Sequence, residues 1–222
     1  MSIIAIIQSR MTSSRYPGKV LAPFLGKPVL AQVVERIKSS TTSLPIVLAT
    51  SDDTADDPLV LYGNHLGISV ERGPRDDVMG RFVKVLGKFS CEAFFRVCGD
   101  SPLLLPFLFN KAVSIYKNST YDLITNVFPR TFPIGMSVEL VSTKTFLSLE
   151  KTITKKDDRE HLTQFYYNHP EKFRIRNIEC DNPVDQKLKL AVDEIDDLKR
   201  IERWYRMENI WDRFVIKQDD NE

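Results

Sequence analysis

Residues 3–19 read IIAIIQSRMTSSRYPGK and predict the start of an open α/β sheet. The apolar run Ile3–Gln8 has the length and the β-branched content of a buried strand. The polar loop Ser9–Lys19 follows it, and a helical pattern begins at Pro28, with apolar residues recurring on one face. In open α/β sheets, ligands bind in the crevice outside the carboxyl ends of the strands. We therefore expect the loop after the first strand to contribute to a binding site.

The same alternation of strand and helix continues to about residue 125. Further strands are predicted over 46–50, 69–71, 93–97 and 121–125. The helices between them are predicted over 54–65, 78–89 and 106–117. This order favours a Rossmann-like α/β fold, in which a mostly parallel, mixed sheet carries helices on both faces.

The pattern changes after residue 126. Strands are predicted over 138–141, 173–178 and 188–192, with a helix that carries Leu162, Phe165 and Tyr166 between the first two. A last helix uses apolar positions 198, 201 and 205. We predict a single domain over residues 1–213, in which about 126–180 forms a small α+β extension for acceptor binding or dimerisation. Residues 214–222 are predicted to be a flexible tail.

Composition and charge exclude several classes of protein. The 222 residues are 42% hydrophobic and 27% charged, which is typical of a folded soluble protein, and the formal net charge is only +1. A general attraction to nucleic acid or to anionic lipid is therefore not expected. No apolar run approaches the roughly 18 residues of a membrane helix, and the opening lacks the features of a signal peptide, so we predict a cytoplasmic protein. The three cysteines and three histidines lack the spacing of a zinc site.

The loop Ser9–Lys19 carries the most specific chemical signal. Arg10, Arg15 and Lys19 supply three cations, and the loop contains no acidic residue that could neutralise them. Such a loop can converge on a polyphosphate, with backbone and hydroxyl donors between the cations. A solvated basic loop is the alternative, which the position after the first strand disfavours. The sequence contains neither a GxxxxGK[ST] phosphate loop nor a GxGxxG dinucleotide motif.

Two acidic residues follow predicted strands in distant parts of the chain. Asp100 comes after the strand over 93–97, and Asp193 comes after the predicted strand over 188–192. Carboxylates at strand ends, together with phosphate oxygens, are ligands that Mg²⁺ accepts. Asp196 and Asp197 are predicted to start the last helix.

The opening of the chain resembles that of a known enzyme family. The segments Gln8-Ser9-Arg10, Ser14-Arg15-Tyr16-Pro17-Gly18-Lys19 and Gly26-Lys27-Pro28 are similar to the cytidylyltransferases that activate acidic sugars. The branch that they resemble is the spore coat polysaccharide biosynthesis protein F type, related to the CMP-Kdo and CMP-sialic acid (acylneuraminate) synthetases. Tyr16 replaces the usual leucine of this loop. The resemblance implies a nucleotide-diphospho-sugar transferase-like fold, CTP and a small sugar-like acceptor as substrates, and a homodimer.

The resemblance also implies roles for particular residues. Those implied for catalysis are Arg10, Arg15, Lys19 and Asp100. Those implied for nucleotide binding are Gln8, Ser9, Ser14, Gly18, Thr50 and Arg81. Those implied for acceptor binding are Asn126, Gly135, Glu139, Arg159 and His161. Magnesium is the implied cofactor, with Asp100 and Asp193 as its protein ligands.

Simpler explanations remain open for several of these residues. Asp193 could cap the last helix, and Asp100 could form a turn in Gly-Asp-Ser-Pro. Arg81 could form an i,i+4 ion pair with Asp77. A histidine such as His161 is, taken alone, more often packed or exposed than functional.

The predicted reaction is transfer of CMP from CTP to a hydroxyl of a sugar or sugar acid, with release of pyrophosphate, for surface polysaccharide or glycoconjugate synthesis. Ser137 stands where related sequences tend to have aspartate, and Cys98 replaces a more usual polar residue. These departures leave open a nucleotidyltransferase that uses another NTP, or a non-catalytic nucleotide-binding relative. A glycosyltransferase of similar topology would be expected to carry an Asp-x-Asp motif, and the strand-end Gly-Asp-Ser-Pro has one acid.

Overall fold

The computed structural model describes residues 2–181, 188–207 and 214 of the chain. Within these residues, the strands form a seven-stranded sheet and a small two-stranded sheet. The strands are β1 (Ile3–Gln8), β2 (Pro23–Phe24), β3 (Lys27–Pro28), β4 (Ile46–Ser51), β5 (Ser69–Gly73), β6 (Ala93–Cys98), β7 (Leu123–Thr125), β8 (Glu139–Ser142) and β9 (Ile175–Asn177). The order in the large sheet is β5-β4-β1-β6-β8-β7-β9, and β2 pairs with β3.

The large sheet is mixed but mostly parallel. β1 pairs in parallel with both β4 and β6, so that Ile7 lies between Leu48 and Val97. β8 runs antiparallel to β6 and to β7, while β7 and β9 are parallel. The predicted mixed α/β sheet is confirmed. Because β1, β4 and β6 run in one direction, the loops that follow them share one edge of the sheet.

Helices cover both faces of this sheet. They are α1 (Val29–Lys38), α2 (Asp57–His65), α3 (Val78–Lys88), α4 (Pro106–Lys117), α5 (Thr143–Glu150), α6 (Lys156–Glu160), α7 (Gln164–Asn168) and α8 (Ile195–Met207). In β1, Ile3, Ala5 and Ile7 belong to the core that includes α1 and α4, whereas Ile4 and Ile6 belong to the core that includes α3 and α5. This alternation is the period of two expected of a strand buried on both faces. Across the described residues, no helix combines the length and the apolar character that crossing a bilayer requires.

The predicted strand over 188–192 is wrong. In the described part of this segment, Lys189 makes an isolated bridge with Ile134. The Leu190 N–H donates to the carbonyl of Ile134 (2.6 Å), and the Val192 N–H donates to the carbonyl of Asp100 (2.9 Å). Leu190 and Val192 are buried, but their backbones pair with loops and do not extend the sheet. The apolar pattern of this segment therefore reflects the burial of its side chains and does not indicate a β-strand.

The helix predicted around Leu162, Phe165 and Tyr166 is shorter than expected. α6 ends at Glu160 and α7 starts at Gln164, so Leu162 lies in the turn between them. The sequence did not predict helix α5. Ser142 is its N-cap residue, and the Ser142 hydroxyl accepts the Thr145 N–H at 3.4 Å.

The region predicted as an extension contributes to the large sheet. β8 and β9 both fall within residues 126–180, and both are members of the seven-stranded sheet. Phe214, where the tail was predicted to begin, is buried and packs against Phe132 with ring centroids 5.9 Å apart. The rest of the predicted tail lies outside the described residues.

Gly135 lies against residues 190–191, the segment just before Val192, and belongs to the loop before β8. Its φ is +99°, and a Cβ atom at this position would lie 2.5 Å from the Ala191 nitrogen and from the Leu190 carbonyl carbon. Both neighbours are backbone atoms, so no side chain can move aside. The close contact requires glycine and positions the chain just before Asp193.

We predict that Gly135→Ala destabilises the protein by about 2–5 kcal/mol, since backbone strain costs roughly 1–2 kcal/mol and overpacking roughly 1–3 kcal/mol. Urea unfolding followed by circular dichroism measures the effect. Gly87→Ala is the matched control, because Gly87 is an exposed position in α3 where a Cβ would have no neighbour within 4 Å. That change should be neutral or stabilising by up to about 1 kcal/mol. Equal stability of the two variants would contradict the packing argument.

Candidate active site

A buried carboxylate anchors the loop after β1. Asp56 is fully buried at the end of the 3₁₀ turn Thr54–Asp56, and one of its oxygens accepts the Met11 N–H at 2.7 Å. The other oxygen accepts the Thr50 hydroxyl (2.9 Å) and the Ser51 N–H (3.0 Å). Burial by itself raises the pKa of Asp56, but the hydrogen bonds from Ser51, Met11 and Thr50 outweigh it, and the net pKa is lowered. Asp56 was not among the predicted site residues, since an acid in a sequence reveals neither its burial nor its partners.

Gly18 turns the loop so that Lys19 enters the cleft. It adopts φ +75°, its N–H donates to the Met11 carbonyl at 2.8 Å, and it precedes the 3₁₀ turn Lys19–Leu21. An L-residue with a side chain is strained in this conformation. Met11 is therefore fixed twice, by Asp56 through its N–H and by Gly18 through its carbonyl.

Lys19 joins the loop to both of the remote acids. Its Nζ donates to Asp100 Oδ2 at 2.7 Å and to Asp193 Oδ1 at 3.1 Å. A third bond goes to the carbonyl of Val192, also at 2.7 Å. Arg15 contacts the same oxygen of Asp193 at 2.9 Å. The first loop, the end of β6 and the segment after residue 188 thus meet at one ammonium group.

The loop lines a cleft of about 400 Å³ at the carboxyl edge of the sheet. The predicted site residues that line it are Gln8, Ser9, Arg10, Ser14, Arg15, Lys19, Arg81, Asp100 and His161. Its remaining lining includes Cys98 and Arg75. Positive side chains dominate this surface, so it suits a polyanion.

Two buried donors in this cleft have no hydrogen-bond partner among the described residues. They are the hydroxyl of Ser9, which is 6% exposed, and Nε of Arg81, which is 2% exposed. Buried polar groups without partners are rare in folded proteins, and in a cleft they indicate groups that a ligand satisfies. Burial, and next the positive charge of Arg10, lowers the pKa of Arg81.

The i,i+4 alternative for Arg81 is not what the structure shows. Its Nη1 donates to the carbonyls of Pro74 (2.6 Å) and Arg75 (2.8 Å). The Asp77 carboxylate instead receives Arg159 in a bidentate pair, at 3.1 and 2.8 Å, and caps α3 by accepting the Gly80 N–H. Arg81 is thus held by backbone carbonyls and keeps its full charge toward the cleft.

Asp197 orients Asp193. It lies in the first turn of α8, as predicted, and its Oδ2 accepts the N–H groups of Asp193 (2.8 Å) and Glu194 (3.0 Å). Lys189 contacts Asp193 Oδ2 at 2.8 Å. Burial opposes ionisation of Asp193, but its bonds with Lys189 and Lys19 lower its pKa, so the carboxylate is held in the charged form.

The donor set of this edge fits a magnesium ion that also binds phosphate. Oxygens of Asp100 and Asp193 both lie within 3.1 Å of one cationic nitrogen, so they face a common point where positive charge is stabilised. In the described part of the chain, no cluster of three or more histidine, cysteine, aspartate or glutamate side chains could hold a metal. Mg²⁺ accepts such an incomplete protein shell, because it keeps waters and takes substrate phosphates as ligands.

A second cavity of about 280 Å³ adjoins the cleft. Its lining residues are Arg96, Val127, Arg130, Ser137, Glu139, His161, Thr163, Gln164 and Tyr167. His161 lines both cavities. The structure therefore places Glu139 and His161, both predicted to bind the acceptor, next to the cleft that contains Lys19.

Apart from Gly18 and Asp193, whose contacts are described above, the predicted residues that line neither cavity are Asn126, Arg159, Thr50 and Gly135. Asn126 is fully buried and bonds the backbone of the loop before β8, at Met136 (2.9 Å) and Val138 (2.8 Å). Arg159 pairs with Asp77, and Thr50 binds Asp56. With Gly135, these residues shape the walls of the site in this structure, and their predicted contacts with substrate stay predictions.

We predict that Asp56→Asn lowers the free energy of unfolding at pH 7 by about 2–3 kcal/mol, because the amide presents N–H where donors converge. The folded-state pKa of Asp56 lies below its unfolded value, so its stabilisation is present above about pH 4 and is lost as pH falls through the folded pKa. The difference between wild type and variant should shrink from pH 7 to pH 3 in urea titrations. Asp57→Asn, which removes an exposed carboxylate next to it, is the control. A difference independent of pH would contradict this assignment.

Comparison with known proteins identifies the family. The family model described as "Cytidylyltransferase" matches residues 4–217. The chain is 30% identical over 212 residues to the spore coat polysaccharide biosynthesis protein SpsF of Bacillus subtilis, covering 92% of this chain and 86% of that protein.

Two solved structures share the fold of this chain. A cytidylyltransferase from Leptospira borgpetersenii serovar Hardjo-bovis superposes with a TM-score of 0.88 at 27% identity, covering 94% of this chain and 88% of that one. CMP:2-keto-3-deoxy-manno-octonic acid synthetase, solved with CTP, shares the fold with a TM-score of 0.71 at 14% identity, over 93% of this chain and 99% of that one. The matching family model and the similarity to SpsF together show that this chain belongs to the cytidylyltransferase family.

Proposed function

We propose that this protein transfers CMP from CTP to a hydroxyl of a sugar acid and releases pyrophosphate. The observation that carries the proposal is the convergence of Lys19 with Asp100 and Asp193 at the end of the cationic loop. A triphosphate requires several cations and donors, and its transfer requires carboxylates that can hold a metal.

Different residues of the cleft have different proposed roles in binding and positioning CTP. Arg10, Arg15 and Lys19 lie where they can neutralise the β- and γ-phosphates, and the unpaired donors of Ser9 and Arg81 can bind nucleotide oxygens. The acceptor hydroxyl attacks the α-phosphorus in line with the departing pyrophosphate, so the bond to the bridging oxygen breaks as the new P–O bond forms. Catalysis then comes from positioning and from electrostatic stabilisation of the leaving group.

Magnesium would be held by Asp100 and Asp193. When bound, it would add positive charge at the phosphate oxygens to that supplied by Arg10, Arg15 and Lys19. Lys19, which contacts both acids, keeps them oriented, and Asp197 holds Asp193 from behind.

The second cavity is the proposed acceptor site. It shares His161 with the nucleotide cleft, and the solved relative named for 2-keto-3-deoxy-manno-octonic acid supports an acidic sugar as acceptor. Use of the product in surface polysaccharide or glycoconjugate synthesis, a homodimer and a cytoplasmic location belong to the same proposal. Of these, the similarity to SpsF supports the polysaccharide role.

The direct test is pyrophosphate release from each of four NTPs with a panel of acidic and neutral sugars. We expect turnover with CTP and at least one sugar acid, and little with the other three nucleotides. Preference for another NTP would make the protein a different nucleotidyltransferase, and tight CTP binding without turnover would make it a nucleotide-binding relative.

Lys19→Ala should lower kcat/KM for CTP by roughly 100-fold or more, because it removes a charged donor from the developing pyrophosphate and releases two carboxylates from their common partner. The same pyrophosphate assay measures it, with circular dichroism to verify folding. Lys88→Ala removes an exposed lysine that pairs with Glu71 at 2.7 Å, and it should retain wild-type rates. Near-normal turnover of Lys19→Ala would refute the assignment.

Chelation of divalent ions by EDTA should stop pyrophosphate release, and added MgCl₂ should restore it. Asp193→Asn should need roughly 10-fold or more Mg²⁺ for half-maximal rate, because one of two anionic ligands is lost. Titration of MgCl₂ at fixed CTP gives this value for each variant. Full activity in EDTA would contradict a metal site between Asp100 and Asp193.

A further inference from the structure

The charges that line the second cavity do not balance. Arg96 and Glu139 form an ion pair at 2.9 Å, and Tyr167 donates its hydroxyl to the other oxygen of Glu139 at 2.6 Å. Both oxygens of Glu139 are therefore already engaged, and Arg96 is already neutralised. This ion pair therefore adds no net charge to the cavity.

Arg130 is another cation in the lining of this cavity, and the ion pair between Arg96 and Glu139 does not neutralise it. Its Nη1 donates to the hydroxyl of Ser137 at 3.2 Å. Among the residues that the structure describes, no carboxylate lies within the 4.0 Å of an ion pair with Arg130, and Glu139 acts on it from farther away. Burial lowers the pKa of Arg130, yet a guanidinium stays protonated in proteins. A half-buried, unpaired charge is costly unless a ligand neutralises it.

The backbone around Arg130 is held in place before any ligand binds. Val127 and Arg130 form an antiparallel bridge across the turn. Asn177 accepts the Phe128 N–H at 3.1 Å and donates to the Pro129 carbonyl at 2.9 Å. The Phe128 ring stacks on Tyr167, with centroids 5.2 Å apart. The guanidinium is thus presented from a braced turn, which lowers the entropic cost of binding.

We propose that Arg130 and the hydroxyl of Ser137 form the subsite that binds the acceptor's carboxylate and so select sugar acids over neutral sugars. The inference rests on the proposed transferase function. A planar guanidinium beside a hydroxyl matches a carboxylate, which accepts hydrogen bonds through two oxygens. The cavity of about 280 Å³ is at the small end for ligand sites and suits a single sugar. His161, shared with the nucleotide cleft, lies where the acceptor and the nucleotide meet.

Calorimetry with charged and neutral forms of one probe tests the subsite. The probes are 3-deoxy-manno-octulosonate and N-acetylneuraminate, each with its methyl ester, which keeps the sugar and removes the charge. CDP replaces CTP in these titrations, so that no transfer occurs. We expect wild type to bind at least one acid roughly 10- to 100-fold more tightly than its ester, since a charged hydrogen bond is involved.

Variants assign that preference to Arg130. Arg130→Gln should remove the preference for acid over ester, and Arg130→Lys should keep part of it. Ser137→Ala should weaken binding of the acid more than that of the ester, because it removes the hydroxyl that lies beside the guanidinium. Arg203→Gln is the matched control, since Arg203 is an exposed arginine on α8 and tests the loss of one remote positive charge.

Several outcomes would overturn the proposal. They are equal binding of acid and ester by wild type, equal weakening of both by Arg130→Gln, and no binding of any acid up to about 10 mM. Binding of glucose 1-phosphate, but not of the acids, with the same dependence on Arg130 would replace the carboxylate with a phosphate.

Pyrophosphate release separates this inference from the function on which it rests. Acid binding that depends on Arg130, without turnover of CTP, would refute the transferase function and leave the subsite intact. Turnover of a sugar acid that Arg130→Gln leaves unchanged would refute the subsite alone.

Discussion

The contact of Lys19 with two carboxylates is the interaction on which the site depends. One ammonium group, 11% exposed, bonds Asp100, Asp193 and the carbonyl of Val192, and so ties together three segments that are far apart in sequence. Charges that are partly buried attract strongly at this range, and removal of one partner leaves the others uncompensated. The same arrangement holds both acids close together, as the proposed site for a metal-bound triphosphate requires.

Three other carboxylates hold the rest of the site in position. Asp56 fixes the first loop through Met11, Asp77 holds α6 to α3 through Arg159, and Asp197 holds Asp193. None of the three needs to touch a substrate to matter, because catalysis by positioning depends on the groups that hold the binding residues. In the second cavity, Glu139 plays a comparable part by neutralising Arg96, and this leaves Arg130 available for a ligand.

Much of the fold could be predicted because its strands are buried on both faces. β1, β4 and β6 lie within two residues of their predicted ends, and α4 has the predicted bounds. Prediction was wrong where burial and hydrogen bonding diverge. The segment over 188–192 is apolar because Leu190 and Val192 fill the core, but its backbone pairs with the loops at Ile134 and Asp100. Hydrophobic pattern reports burial and says nothing about which backbone groups lie opposite.

The sequence by itself determined the α/β class, the cationic loop and the candidate acids Asp100 and Asp193. It could do so because local periodicity and charge spacing follow from residues close together in the chain. Only the tertiary structure decided which charged side chains are neutralised by ion pairs within the protein and which are left for a ligand. Arg159 forms an ion pair with Asp77, and Arg96 forms one with Glu139. Arg81 donates to backbone carbonyls, while Arg130 has no ion-pair partner among the described residues. Such pairing depends on distances of a few ångströms between residues dozens of positions apart, and no local pattern in the sequence encodes them.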